Sequence, residues 1–319
     1  MRYVGALIRV IRERGKTFDG AVDANGVVTS GVSNELILQF LNEAQDALQA
    51  RIAKVFPNYF YSTRIITLVG NQEAYSIDDA LLNDSKIVQV EYSFDGSLEG
   101  YRPLRFRSLY ERNSDTFTEP LYYILFNNQI LLNPIPATSG SSSVRVTYYR
   151  SLDDLALRAG TVAARTLTGS SLSALTLSTA NDDATGLQLG ASEHPYLCFS
   201  DLFGSVLSRN ITYSAYDSGT GVVTLSPGTQ VLDPGETLPV GSFATVGQFT
   251  TTHSKLPNDC ERYLIIFASK RLMSQNSSAD EVAEDAEVRA VEEDIISNFA
   301  PVSGDVQAVP IIDPYVGEQ

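Results

Sequence analysis

The apolar positions of this chain change their spacing twice, from helical to strand-like and back, and each change marks where one kind of element gives way to the other. Over residues 2–14, Val4, Leu7, Ile8 and Ile11 share one helical stripe, and Gly15 suits the stop. A loop over 16–32 follows. Ile37, Leu41, Ala44, Leu48, Ile52 and Val55 then recur at three- and four-residue intervals, which predicts a long amphipathic helix over 34–55. Ser33 suits its N-cap, Glu35 favours the positive end of its dipole, and Pro57 lies just past its end.

From about 60 to 150 the period turns strand-like. The runs RIITLVG, KIVQVEYSFDG, YRPLRF, PLYYILFNN, QILLNPIP and VRVTYYR are β-branched and aromatic, and turn residues separate them. Asn127-Asn128 predicts a hairpin turn, because Asn tolerates left-handed backbone better than most residues. A short helix around 107–113 interrupts the strands.

Between 160 and 255 the composition shifts to Thr, Ser, Gly, Leu and Val, and Arg209 is the one basic residue between Arg165 and Lys255. Short runs such as ALTLST, LCFSDL, NITYSAY, GVVTLSP and SFATVGQ alternate with Gly, Asp and Pro turns, an all-β pattern. Helix resumes at Pro257, with Tyr263, Leu264, Ile266, Phe267, Leu272 and Met273 as its apolar surface up to Gln275. A last helix over 279–299 is apolar at Val282, Val288, Val291 and Ile295 and acidic elsewhere. Residues 300–319 carry three prolines and read as an extended tail. No solenoid-length repeat is present.

These elements predict an α+β fold: a helical bundle built from the N- and C-terminal helices with a strand-rich middle, plus an inserted all-β domain. The expected domains are a discontinuous core of 1–159 with 256–299, an insert over 160–255, and a C-terminal arm over 300–319.

Charge narrows the function. The 319 residues hold 23 Lys and Arg against 38 Asp and Glu, a net charge of −15, whereas proteins that grip nucleic-acid phosphates present a basic stripe. The acidic residues gather at Asp280, Glu281, Glu284, Asp285 and Glu287, then at Glu292, Glu293 and Asp294. Such a run is either a solvated helix face or a negative surface that keeps passing DNA from sticking; repeated around a ring, it would sum into a sizeable potential. The basic cluster Arg2, Arg9, Arg12, Arg14 and Lys16 is either solvated or a match for an acidic neighbour. Mean hydropathy is −0.05, and no run of about 18 uncharged apolar residues suits a membrane helix. Charges at Arg9, Arg12, Glu13 and Arg14 break the first apolar stretch, unlike a secretory signal.

Candidate chemistry is sparse. His194 and His253 stand alone and are read as turn or surface residues, and no GxSxG elbow or GxxxxGK[ST] loop occurs. Asp182-Asp183 reads as a turn, since the spaced acids and central Gly of a calcium loop are missing. Cys198 and Cys260 form no paired motif and are read as buried, reduced thiols. Asp201 and Asp217 are the acids available to a two-carboxylate glycosidase, which is the third-ranked reading. No catalytic residue, metal ligand or cofactor is assigned.

The order of ELILQFLNEAQDALQARI, RIITLVGNQEAYSID, PLYYILFNNQILLNPIP, VRVTYYR and LPNDCERYLIIFASKRLMSQ resembles the head-to-tail connector or adaptor proteins of tailed bacteriophages, over about 1–156 and 256–299. The resemblance implies a structural virion protein and not an enzyme. It implies a homo-oligomeric ring, usually dodecameric, at the neck below the portal, assembled in the host cytoplasm, with portal and tail or nozzle proteins as partners. DNA would pass through without specific binding, and no membrane is involved. Small adaptors have a short loop where this chain carries the stretch 160–255. In the arm, Val306, Val309, Ile311, Ile312, Tyr315 and Val316 supply more apolar surface than a free tail needs. The alternative is a tail- or capsid-associated binding module whose β insert recognises a receptor or glycan, in which Tyr196, Tyr213 and Tyr216 would stack on sugars, although core or strand packing is the commoner use of such residues.

Overall fold

A computed structural model describes residues 2–14, 32–76, 87–97, 100–111, 119–126, 129–137, 142–178, 195–232, 236–274 and 281–299. Among the described residues, α-helices lie at the two ends of the chain: α1 (Val4–Arg14), α2 (Asn34–Val55), α3 (Glu261–Ser274) and α4 (Glu281–Phe299). The described residues of Leu7–Phe56 and Leu256–Gln319 form one compact unit, and those of Met1–Ala6 and Pro57–Lys255 another.

In the helical unit, α2 packs on α3 and α4, and α3 packs on α4. The predicted stripes are the buried ones. Val4, Leu7, Ile8 and Ile11 of α1 are buried, as are Ile37, Leu41, Ala44, Leu48 and Ile52 of α2. Val55, expected on the same stripe, is exposed because it sits in the terminal turn beyond the last buried position. Ser33 caps α2 as expected, its Oγ accepting from Leu36 N at 3.2 Å. Arg12 of α1 reaches the start of α2, donating to Val32 O at 2.7 Å and to Asn34 Oδ1 at 2.8 Å. A 3-10 turn at Asn258–Cys260 stands between Pro257 and α3, so the α-helix proper starts later than the proline. Tyr263, Leu264, Ile266, Ala268 and Leu272 of α3 and Val291 and Ile295 of α4 complete the buried set.

The strand-rich unit holds β1 (Tyr61–Thr67), β2 (Ala74–Ser76), β3 (Ile87–Ser93), β4 (Arg102–Pro103), β5 (Arg105–Phe106), β6 (Tyr122–Phe126), β7 (Gln129–Asn133) and β8 (Ser143–Tyr149). They form two four-stranded sheets, ordered β1-β8-β3-β4 and β2-β7-β6-β5. Tyr75, Val90, Tyr92, Tyr123, Ile130, Leu132, Val144 and Val146 from both sheets share one core. β6 and β7 pair from Tyr122↔Asn133 to Phe126↔Gln129, the hairpin that Asn127-Asn128 predicts, although those two residues lie outside the described set. The helix expected near 107–113 is a 3-10 turn at Leu109–Glu111.

The rest of this unit comprises β9 (Asp154–Leu155), β10 (Gly160–Thr168), β11 (Ser171–Ser178), β12 (Tyr196–Ser200), β13 (Val206–Asp217), β14 (Val222–Leu225), β15 (Gln230–Val231), β16 (Phe243–Val246) and β17 (Thr250–Thr251). The order β10-β16-β12-β13-β14-β11 closes on itself, because β10 also pairs with β11; β15 hangs on β11. Closure into a six-strand barrel leaves its main strands no open edge. Alternate residues point inward. Val162, Leu172, Leu175, Leu177, Leu197, Phe199, Ile211, Tyr213, Val223 and Leu225 fill the interior, so the barrel is a packed core and not a pore. Register shifts in β10–β11, β12–β13 and β13–β14 supply the bends that closure needs.

Where the chain enters and leaves the barrel, β9 and β17 run parallel, with Thr250↔Asp154 and Thr251↔Leu155 in register. Asp153, 7% exposed, sits at this crossing. Its carboxylate meets Lys255 Nζ at 2.9 Å, Arg209 Nη2 at 3.0 Å and Arg150 Nη2 at 3.6 Å. Burial alone would raise the Asp153 pKa; Lys255 and Arg209 outweigh it and hold the carboxyl below its ordinary value. Burial pushes Lys255 down to about 8 against the pull of Asp153. Asp153→Asn leaves these cations without their counter-charge and is expected to cost about 3 kcal/mol, the low end for a broken buried pair because the cations keep part of their hydration. The folded pKa lies below the unfolded one, so the stabilisation is present at neutral pH and fades as the pH falls below the ordinary 3.8. Urea midpoints of the two proteins should differ clearly at pH 7 and draw together progressively as the pH falls below 3.8. Equal midpoints at pH 7 would contradict the role of Asp153.

Candidate interaction surfaces

The charge features of the sequence meet one another in the helical unit. Glu287 of α4 binds Arg14 of α1 at 2.8 Å and Lys270 of α3 at 3.5 Å. Slight desolvation would raise its pKa, but Arg14 and Lys270 hold the carboxyl below the usual range. Glu292, a buried residue of α4, accepts from Arg51 Nε of α2, and that bond is the main cause of the raised Arg51 pKa. Part of the acidic run is therefore internally compensated, and part of the N-terminal basic cluster has found its acidic neighbour within the chain. Glu293 and Asp294 are exposed. Glu281, Glu284 and Asp285 belong to the α4 backbone, but their side chains, and Asp280 altogether, lie outside the described residues. So do Val306, Val309, Ile311, Ile312, Tyr315 and Val316 of the arm.

The residues weighed for chemistry have structural duties. His253 is not a surface residue. It is 4% exposed, stacked on Phe243 at 6.3 Å, and its Nδ1 lies 2.9 Å from Thr252 Oγ1. Burial lowers its pKa, which favours the neutral ring. Asp217 closes its own turn, accepting from Gly219 N at 2.9 Å and Thr220 Oγ1 at 2.6 Å. Asp201 does the same in another turn, with Phe203 N at 2.8 Å and Ser205 N at 2.7 Å. Cys198 and Cys260 are buried thiols, as expected. Tyr213 fills the barrel interior, while Tyr196 and Tyr216 are half-buried. Tyr213 thus takes the core role that is the commoner one for such strand aromatics, and is removed from the sugar-stacking alternative. His194 and Asp182-Asp183 lie outside the described residues. Among the described residues, no three His, Cys, Asp or Glu side chains group as a metal site, and no helix is long and apolar enough to cross a membrane.

One surface feature escaped the reading of the sequence. LCFSDL reads as a single strand run, but β12 ends at Ser200 and Asp201 opens a turn. Leu202 and Phe203 at its tip are 65% and 88% exposed. The signal was present in Asp201 and Gly204, the first and last positions of a four-residue turn.

Comparison with known proteins adds two findings. No curated protein matches the chain. The family model of the SU10 adaptor protein matches residues 4–183, which run from α1 through the β10–β11 hairpin of the barrel. The match thus reaches further into the barrel than the resemblance read from the sequence. More than half of the chain is matched, and the protein belongs to the SU10 adaptor protein family, a family of phage head-to-tail adaptors.

Proposed function

We propose that this phage structural protein forms a ring, of twelve copies by the family resemblance, docked below the portal at the neck of the virion, where it joins capsid to tail. The family match over residues 4–183 carries this reading. The helices at the two chain ends are read as a bundle that packs side by side in the ring, and the strands over 160–255 as an inserted domain kept away from the channel. A bulky barrel in the lumen would obstruct DNA. Portal on one side and tail or nozzle proteins on the other are the partners. DNA slides past without being held, and the protein has no enzymatic step. Purified chain mixed with portal should give a closed ring of twelve on portal by electron microscopy; a monomer that ignores portal would overturn the assignment.

Two surfaces take roles in this proposal. The arm over 300–319 reaches a neighbouring subunit or the portal as an extended segment, because Pro301, Pro310 and Pro314 forbid a long helix. Truncation after Ala300 is expected to leave the melting temperature within about 2 °C and to reduce ring formation on portal at least tenfold. Assembly at the full-length level would remove the arm from the interface. The acidic face at Asp280, Glu281, Glu284 and Asp285 lines the DNA passage, whereas Glu287 is committed to Arg14 and Lys270. Glu284→Lys with Asp285→Lys, which spares Glu287, should leave assembly intact and slow DNA ejection by roughly an order of magnitude through phosphate attraction. Unchanged ejection kinetics would return the run to a plain solvated face.

A further inference from the structure

A cavity of about 250 Å³ opens in the strand-rich unit beside the Asp153 ion cluster. Ser62 of β1, Tyr148 of β8, Arg150, Ser151 and Asp153 of the link before β9, and Arg209 of β13 line it. Arg209 is aimed by the backbone. β12 and β13 pair at Leu197↔Ile211 and next at Phe199↔Ser208, so Arg209 and Asn210 stand together opposite Cys198 as a β-bulge, a device that re-aims a side chain. The Arg209 guanidinium thereby meets Asp153, with Nη2 3.0 Å from Oδ2 and 3.3 Å from Oδ1. Asn210 is left-handed at φ +53°, and its Oδ1 accepts from Phe249 N at 3.2 Å. Phe249, on the cavity wall, is left-handed too, at φ +51°. Bulky residues seldom adopt that conformation, and they gather where a site is held in one shape.

We propose that this cavity binds a small tetrahedral oxyanion of the phosphate class between Arg150 and Arg209. The site needs no second copy and no ring. Asp153 is the one acid in the lining, and Lys255 binds it at 2.9 Å without lining the cavity, so part of its charge is met from behind. The two guanidiniums therefore leave the cavity positive. Other nearby acids do not cancel them: Asp154 is exposed and lines no part of the cavity, and Glu236 accepts from Ser208 Oγ at 3.0 Å and from the Arg209 backbone N–H at 3.1 Å. A carboxylate accepts about four hydrogen bonds, whereas two guanidiniums and an ammonium offer about thirteen donors, more than Asp153 can use. Guanidinium forks match phosphate oxygens, and Ser62, Ser151 and Tyr148 add hydroxyl-bearing residues on other sides, a convergence that suits a tetrahedral anion better than a flat carboxylate. The net charge of −15 does not decide this site, because at physiological ionic strength screening over about 8 Å leaves the adjacent groups in control.

The test titrates the purified full chain with inorganic phosphate by isothermal calorimetry at neutral pH, against sodium chloride of matched ionic strength. Saturable binding at a single site per chain is expected for phosphate and none for chloride. Arg150 is the residue to change, since its contact with Asp153, at 3.6 Å, is the longest of the three. Arg150→Gln should weaken phosphate binding about tenfold or more, the loss of one charge-assisted contact. A second measurement needs no variant: phosphate should slow phenylglyoxal modification of Arg150 and Arg209 in the wild-type chain, read peptide by peptide in the mass spectrometer, while the exposed Arg102 and Arg105 react at their former rate. Heat that matches the chloride control, binding undiminished in Arg150→Gln, or equal slowing at every arginine would each overturn the site.

Discussion

A buried carboxylate holds the strand-rich unit together at its most constrained point. Asp153 gathers Arg150 from the end of β8, Arg209 from the middle of β13 and Lys255 from the segment after β17. These positions span the chain's passage into the barrel, the barrel wall and the passage out. One residue away, β9 and β17 lie side by side. A closed barrel requires the strand that enters and the strand that leaves to end near each other, and the ion cluster with this short parallel pair supplies that condition. Attraction between one buried acid and several cations is strong here because water is largely excluded, and for the same reason none of the partners can be removed cheaply.

Charge elsewhere is handled differently. In the helical unit the acidic run is partly spent inside the chain, on Arg14, Lys270 and Arg51, where the ion pairs tie α1, α2, α3 and α4 to one another. These pairs are more exposed than Asp153, and each contributes modestly. A strong excess of acid remains. Nucleic-acid phosphate would find little to hold on so acidic a chain.

The amino-acid sequence by itself determined the elements that depend on local periodicity. The stripes of α1 and α2, the Ser33 cap, the β6–β7 hairpin and the strand-rich character of 160–255 were legible because side-chain spacing and turn chemistry act over a few residues. The order of those elements also carried the family. Only the tertiary structure decided what depends on contacts between distant positions. Closure of the six strands rests on β10 pairing with both β11 and β16, and Gly160 and Ala244, far apart in the chain, become neighbours there. His253, Asp201 and Asp217 read as free polar groups until packing gave them duties in a stack and two turns. The turn at Asp201–Gly204 was hidden because LCFSDL has the alternation of a strand; its close approach to His253, 49 positions away, leaves room for glycine alone at 204. Periodicity is a property of neighbours in sequence, whereas burial, ion pairing and strand closure belong to neighbours in space.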